Sequence, residues 1–237
     1  MAARYPSLVD PPIGFAHRGA RAHSPENTLE AFSLALRLGA TGLETDVWLT
    51  ADGIPVLDHD GVVRRRARQR PISSVAKDQL PSFIPTLSEV LPLCGPGVHL
   101  SIDVCDPSAG PVVIRTVQAE HPDLAPRLWL CRADLGSLVA LRPLDPDVKL
   151  VNSTRLERMK EGPERRAATL RVEGIDAVNL HYTDWNGGLV ALFHRFERAC
   201  LAWDLQHEHL LRATLALGMD GVYSDWVDRM HAALGDL

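Results

Sequence analysis

Eight short apolar runs, each followed by a stretch of helical period, constrain this chain more than any other feature of its sequence. The runs are Ile13–Ala16, Gly42–Val47, Val98–Val104, Arg127–Leu130, Val148–Val151, Ala177–Leu180, Ala199–Trp203 and Gly221–Tyr223. Between and after them the spacing predicts helices near Thr28–Leu38, Leu87–Leu91, Gly110–Glu120, Asp134–Leu141, Glu164–Val172, Gly187–Arg195, Glu208–Leu217 and Trp226–Leu234. Near-continuous apolar strands alternating with helices are the signature of a parallel sheet whose crossovers cover it. No Pro/Gly/Ser-rich linker or low-complexity segment interrupts the alternation. The expectation is an α/β fold, a single-domain TIM (β/α)8 barrel over residues 1–237, with a doubly wound open sheet as the structural alternative, since strand period does not report closure.

The balance of charge removes several functions. At a formal net charge of −5 the chain carries no basic field of the kind that draws nucleic acid. No run approaches the roughly 20 apolar residues that span a bilayer, and Met1–Pro12 lacks the apolar core of a signal peptide. The expectation is a soluble, cytoplasmic protein without integral membrane association or a nucleic-acid partner; nothing in the pattern specifies an oligomer. The four cysteines, at 94, 105, 131 and 200, form no C-x-x-C pair and read as small buried apolar residues.

In a closed barrel the chemistry gathers at the C-terminal strand ends. The first strand ends in His17-Arg18-Gly19; the second carries Glu44-x-Asp46; a further short run, Ile54–Leu57, ends in His59-Asp60; the third strand carries Asp103. Residues two apart on a strand share a face, so Glu44 and Asp46 can bracket one cation, with Asp103 as a third oxygen ligand. An all-oxygen shell suits Ca2+ or Mg2+ rather than zinc. His17 and His59 can stand as acid and base on either side of a phosphate ester, with Arg18 as a fork on its oxygens. The connection Gly61–Pro85 is unusually long and holds Arg64, Arg65, Arg66, Arg68 and Arg70; it reads either as a solvated loop or as a lid that attracts an anion. His181 and His207-x-His209 read as polar residues at helix starts, because their spacing does not put two histidines on one helical face.

Taken in order, His17-Arg18-Gly19-Ala20, Pro25-Glu26-Asn27-Thr28, Phe32, Ala35, Gly39-Ala40, Glu44-x-Asp46, Thr50-x-Asp52-Gly53-x-Pro55-Val56 and His59-Asp60 resemble the glycerophosphodiester phosphodiesterase family. Ile84-Pro85-Thr86-Leu87, Trp203, Leu217-Gly218-x-Asp220-Gly221 and Ser224-Asp225 extend the resemblance over nearly the whole chain. It implies a TIM-barrel enzyme that cleaves glycerophosphodiesters to glycerol phosphate and an alcohol. It further implies a divalent cation on Glu44, Asp46 and Asp103, acid–base catalysis by His17 and His59, and substrate or phosphate contacts from Arg18 and Trp203. In the scheme it implies, a glycerol hydroxyl of the substrate attacks phosphorus and water opens the cyclic product.

The chain leaves the family pattern at Asp103-Val104-Cys105, where Glu-x-Lys is usual, and at Asp204, Gln206 and Trp226. The lost lysine removes a cation from beside the phosphate, and an arginine of the 61–85 segment or Arg132 is the expected substitute. Two other functions compete: a sphingomyelinase D or lysophospholipase D-like lipid phosphodiesterase, and a weakened barrel that binds phosphodiesters without turnover.

Overall fold

The computed structural model describes residues 6–65 and 68–236. Its strands are β1 (Ile13–Ala16), β2 (Gly42–Leu49), β3 (Pro55–Leu57), β4 (Val62–Arg65), β5 (Arg68–Pro71), β6 (His99–Val104), β7 (Leu128–Arg132), β8 (Lys149–Thr154), β9 (Ala177–His181), β10 (Ala199–Trp203) and β11 (Gly221–Ser224). β1, β2 and β6 to β11 run parallel, and β1 pairs with both β2 and β11, so the sheet closes into an eight-stranded barrel. Closure removes the open-sheet alternative. The helices α1 (Leu29–Arg37), α2 (Leu87–Val90), α3 (Ala109–Glu120), α4 (Leu135–Val139), α5 (Pro163–Val172), α6 (Gly187–Arg195), α7 (Glu208–Leu215) and α8 (Val227–Gly235) form the outer layer.

Alternation along each strand sorts the apolar residues into two cores. Ile13, Phe15, Trp129, Cys131, Val151, Ala177, Ala199, Leu201 and Tyr223 fill the barrel, where Phe15 stacks on Tyr223 at 4.7 Å between ring centroids. Their strand neighbours, among them Leu43, Ile102, Leu130, Leu150 and Ala202, face the helices. A fully buried Phe15 contributes about 2 kcal/mol by area alone. Helix starts are set by local hydrogen bonds: the Thr28 side chain accepts from Ala31 N, and Thr86 and Glu89 form a reciprocal capping box.

At the opposite end of the barrel from the strand termini that concern function, Asp220 is a clasp. Its fully buried carboxylate accepts from Leu8 N, Val9 N and Cys200 N at 2.5, 2.8 and 2.7 Å and meets His194 Nε2 at 2.8 Å. His194, Cys200 and Asp220 are close enough to share a cation. The carboxylate already has four partners, however, so the cluster reads as a tie between the N-terminal segment and the barrel floor.

The Gly61–Pro85 connection departs from the loop expected of it. β4 and β5 pair as an antiparallel hairpin, and Val56, Val63, Ile72, Val75, Leu80 and Ile84 make a small core against Trp48. Gly61 permits the entry turn: its φ is +65°, and a Cβ there would lie 2.4 Å from the Trp48 ring. The run of arginines had masked this alternation of valine and isoleucine. Arg66 lies outside the described residues.

Candidate active site

The mouth is built around one tight turn. β1 ends at Ala16, and the chain then passes through Arg18 at φ +52° and Gly19 at φ +76°. A Cβ at Gly19 would sit 2.7 Å from the backbone of Ala31, so only glycine brings the turn this close to α1. The left-handed backbone at Arg18 aims its N–H at Glu44 Oε2, 2.8 Å away. Asn27, also left-handed at φ +54°, accepts from Thr45 Oγ1 at 2.7 Å and offers Nδ2 to Asp46 Oδ2 at 3.4 Å. Non-glycine residues in this region are uncommon and gather at functional sites.

Glu44 and Asp46 point from β2 into the barrel mouth, and Asp103 joins them from β6, where Asp46 and Asp103 are directly paired in register. One carboxylate oxygen from each lies within 4.8 Å of the others. Burial first, then the Asp46 and Asp103 charges, pushes Glu44 well above the usual carboxylate range. Asp46 is raised mainly by burial. Burial and the Asp46 charge carry Asp103 up to about 7. Three such groups do not ionise together without a counterion, and an all-oxygen donor set of this span fits a hard divalent cation.

His17 follows β1. Its Nδ1 lies 2.6 Å from Asp225 Oδ1, which leaves Nε2 facing the carboxylates, 3.9 Å from Glu44 Oε2. Burial pushes Asp225 up, but the His17 bond and the His17, Arg21 and Arg18 charges outweigh it and hold the carboxyl below its usual range. Asp225 was legible as part of the last-strand pattern but not as the partner of His17. His59 follows β3, is largely exposed and pairs through Nδ1 with Asp60 at 2.8 Å. Of the two histidines, His17 lines the cavity that opens over the carboxylates and His59 does not.

A cavity of about 480 Å³ opens over these groups, lined by His17, Arg18, Glu44, Asp103, Arg155 and Trp203, with Arg158, Ser153, Thr154, Asn179, Asp204 and Tyr223 completing it. Arg18 is held by Glu26 Oε1 at 3.0 Å and Asp46 Oδ2 at 3.5 Å. Trp203 packs edge-on to His181, whose Nδ1 caps the turn after β9 by accepting from Thr183 N. Among the described residues, no side chain of the 61–85 segment lines this cavity, and Arg70 instead donates to Ser74 O. Arg132 is tied to Val104 O at 2.5 Å and borders an adjoining recess with Cys105 and Asp103. Besides Arg18, the cations in the cavity come from Arg155 and Arg158. The sequence reading missed them because β8 was expected to end at Val151, three residues before its observed end at Thr154.

A closed parallel barrel with acids, histidines and arginines gathered at its C-terminal mouth is the architecture of a TIM-barrel hydrolase acting on an anionic ester. The Glycerophosphoryl diester phosphodiesterase family profile matches residues 17–229. The chain belongs to that family, and it is a phosphodiesterase enzyme. A Glycerophosphodiester phosphodiesterase of Bacillus altitudinis is 28% identical over 235 residues, covering 91% of this chain and 95% of the relative. Two solved structures share the fold. A glycerophosphoryl diester phosphodiesterase homologue from Silicibacter pomeroyi has a TM-score of 0.82 at 24% identity, covering 99% of this chain and 95% of its own. A phosphodiesterase of Oleispira antarctica in complex with the product sn-glycerol-3-phosphate has a TM-score of 0.80 at 23% identity, covering 94% and 97%.

Proposed function

We propose that the protein hydrolyses glycerophosphodiesters to glycerol phosphate and an alcohol, with a divalent cation, Ca2+ or Mg2+, on Glu44, Asp46 and Asp103 and with His17 and His59 as the proton-transfer pair. The observation that carries the reading is the three-carboxylate cluster within 4.8 Å, with His17 Nε2 turned toward it. When bound, the cation would neutralise charge growing on the phosphoryl oxygens. The chain's own groups do the rest. Asp225 holds the His17 ring through Nδ1, so that Nε2 is the atom that takes or gives a proton. His59, oriented by Asp60, serves the opposite proton transfer: one histidine accepts from the attacking hydroxyl and the other donates to the leaving alcohol. Arg18 contributes charge from the side of Asp46, and Trp203 supplies an apolar wall.

The cavity favours a small polar substrate over a lipid. Its aromatic surface is confined to Trp203 and Tyr223, and the rest of its lining is polar or charged. The cytoplasmic placement rests on four free cysteines, which a reducing compartment maintains. The test is release of alcohol from glycerophosphocholine, glycerophosphoethanolamine and glycerophosphoglycerol by the chelated protein, before and after Mg2+ or Ca2+ is restored. Turnover that needs the cation is expected for at least one headgroup. Equal turnover in the chelator removes the cation site from the mechanism, and none under any condition removes the activity.

A further inference from the structure

The cavity holds three arginines, and two of them are already spoken for. The Arg18 guanidinium sits between Glu26 and Asp46. Arg155 forms a two-point pair with Asp184, Nε to Oδ2 at 2.7 Å and Nη2 to Oδ1 at 3.1 Å, and lies 5.9 Å from the centroid of the Trp203 ring. Arg158 lines the same cavity, and its guanidinium has neither a carboxylate nor a hydrogen-bond partner among the described residues.

Its backbone is nevertheless fixed. Asp184 also accepts from Leu156 N at 3.1 Å, Arg158 N donates to Arg155 O at 3.0 Å, and Met159, the next residue, is buried in the main core. The exposed side chain therefore springs from a turn anchored on both sides, and only its own rotamers need ordering. A solvated arginine is the ordinary reading of an exposed guanidinium. Two features weigh against it: this one borders the cavity that Glu44 and Asp103 also line, and among the described residues no carboxylate pairs with it.

We propose that Arg158 binds the non-bridging oxygens of the substrate phosphate, facing the carboxylate cluster from across the mouth. The inference rests on the phosphodiesterase reading of the site. A phosphodiester carries one negative charge over two equivalent oxygens, which a planar guanidinium fork matches with two parallel N–H donors. A cation on the acidic side neutralises the carboxylates, and an unpaired fork on the other side completes the clamp. Cys105, just past the end of β6 and two residues from Asp103, carries no cationic group that does this.

The experiment is calorimetric titration of sn-glycerol 3-phosphate, in saturating Mg2+, into the wild type, Arg158→Ala and Arg158→Lys, with unfolding temperatures as a control. Kinetics on two headgroups follow. Arg158→Ala is expected to weaken binding about tenfold, equivalent to about 1.4 kcal/mol, with an unchanged unfolding temperature. Arg158→Lys is expected to recover part of the loss, since it keeps the charge and loses the fork. KM should rise by the same factor for both headgroups, because the phosphate is common to them. Wild-type affinity in Arg158→Ala, no binding to the wild type, or a KM change confined to one headgroup each overturns the proposal. Binding that depends on Arg158 in a protein that hydrolyses no glycerophosphodiester would leave the proposal standing and sink the activity. Normal turnover with unaltered KM in Arg158→Ala would do the reverse.

Discussion

Replacing Asp103 by asparagine should make the cation-free protein more stable and the cation useless to it. In the absence of a cation, burial and Asp46 carry Asp103 from an ordinary value of 3.8 to about 7. Each pKa unit corresponds to about 1.4 kcal/mol, and the side chain keeps some solvent contact, so the ionised cluster costs the fold on the order of 2–4 kcal/mol. A raised carboxylate means that the folded state holds protons the unfolded chain has released. The contribution of Asp103 to the stability of the cation-free wild type is therefore greatest at the acid end and falls as pH rises from about 4 through 7. Asparagine removes that charge while keeping an oxygen to accept from Cys131. At about 2 °C per kcal/mol for a chain of this length, Asp103→Asn should unfold some 4–8 °C above the wild type at pH 8 in chelator. Addition of Mg2+ or Ca2+ to a hundred times its dissociation constant should raise the wild type by about 2.7 kcal/mol, or roughly 5 °C, and the variant by little. Scanning calorimetry of both proteins at pH 5.5 and 8, with and without cation, measures all four terms. An asparagine variant that is less stable than the wild type in chelator, yet gains the full increment from the cation, would show that Asp103 is neither strained by its neighbours nor a ligand.

His17→Ala and His59→Ala are each expected to lower kcat by about 10²-fold or more without a change in unfolding temperature, and near-normal turnover in either removes that histidine from the reaction. Asp225→Asn should lower kcat by about tenfold with KM nearly unchanged, because it loosens the His17 ring while leaving the substrate contacts in place; a KM effect alone would reassign Asp225 to binding. Arg64→Ala combined with Arg70→Ala should leave kcat/KM unchanged, since neither residue lines the cavity, and a tenfold loss would restore the lid proposed from sequence. Cys105→Lys in the Arg158→Ala background should recover part of the lost affinity for sn-glycerol 3-phosphate if position 105 reaches the same phosphate; no recovery would place the two positions on different parts of the ligand.

The barrel was legible because burial on both faces leaves a mark in each strand. Runs such as Ile13–Ala16 or Ala199–Trp203 are apolar at consecutive positions, as a strand covered inside and out requires. Strand ends were less legible. β8 continues as Asn152-Ser153-Thr154, polar residues that extend the ladder to β9, with Ser153 and Thr154 lining the cavity, and the same polarity that builds a site ends the apolar run by which a strand is read. The hairpin of β4 and β5 was hidden differently: its few core residues, Val63 and Ile72, are diluted by exposed arginines.

The same limit explains which half of the site the sequence exposed. Glu44, Asp46, His17 and His59 stand one or two residues from apolar runs, so strand alternation alone puts them at the mouth. Asp225, Arg155 and Arg158 owe their places to contacts across 208, 29 and 28 residues, from Asp225 to His17, Arg155 to Asp184 and Leu156 to Asp184 in its effect on the turn, which no local pattern encodes. The departure at Cys105 has its reason in this second half. A lysine on β6 would lie among three carboxylates, since the Cys105 sulfur is already 4.0 Å from Asp46 Oδ1, and would compete with the cation for them. An arginine on the far wall meets the phosphate without meeting those acids. On the proposed reading, a positive charge on the turn after β8 rather than beside β6 would leave the acids of β2 and β6, already held by Arg18 and Asn27, to the cation, and Arg158 to the substrate.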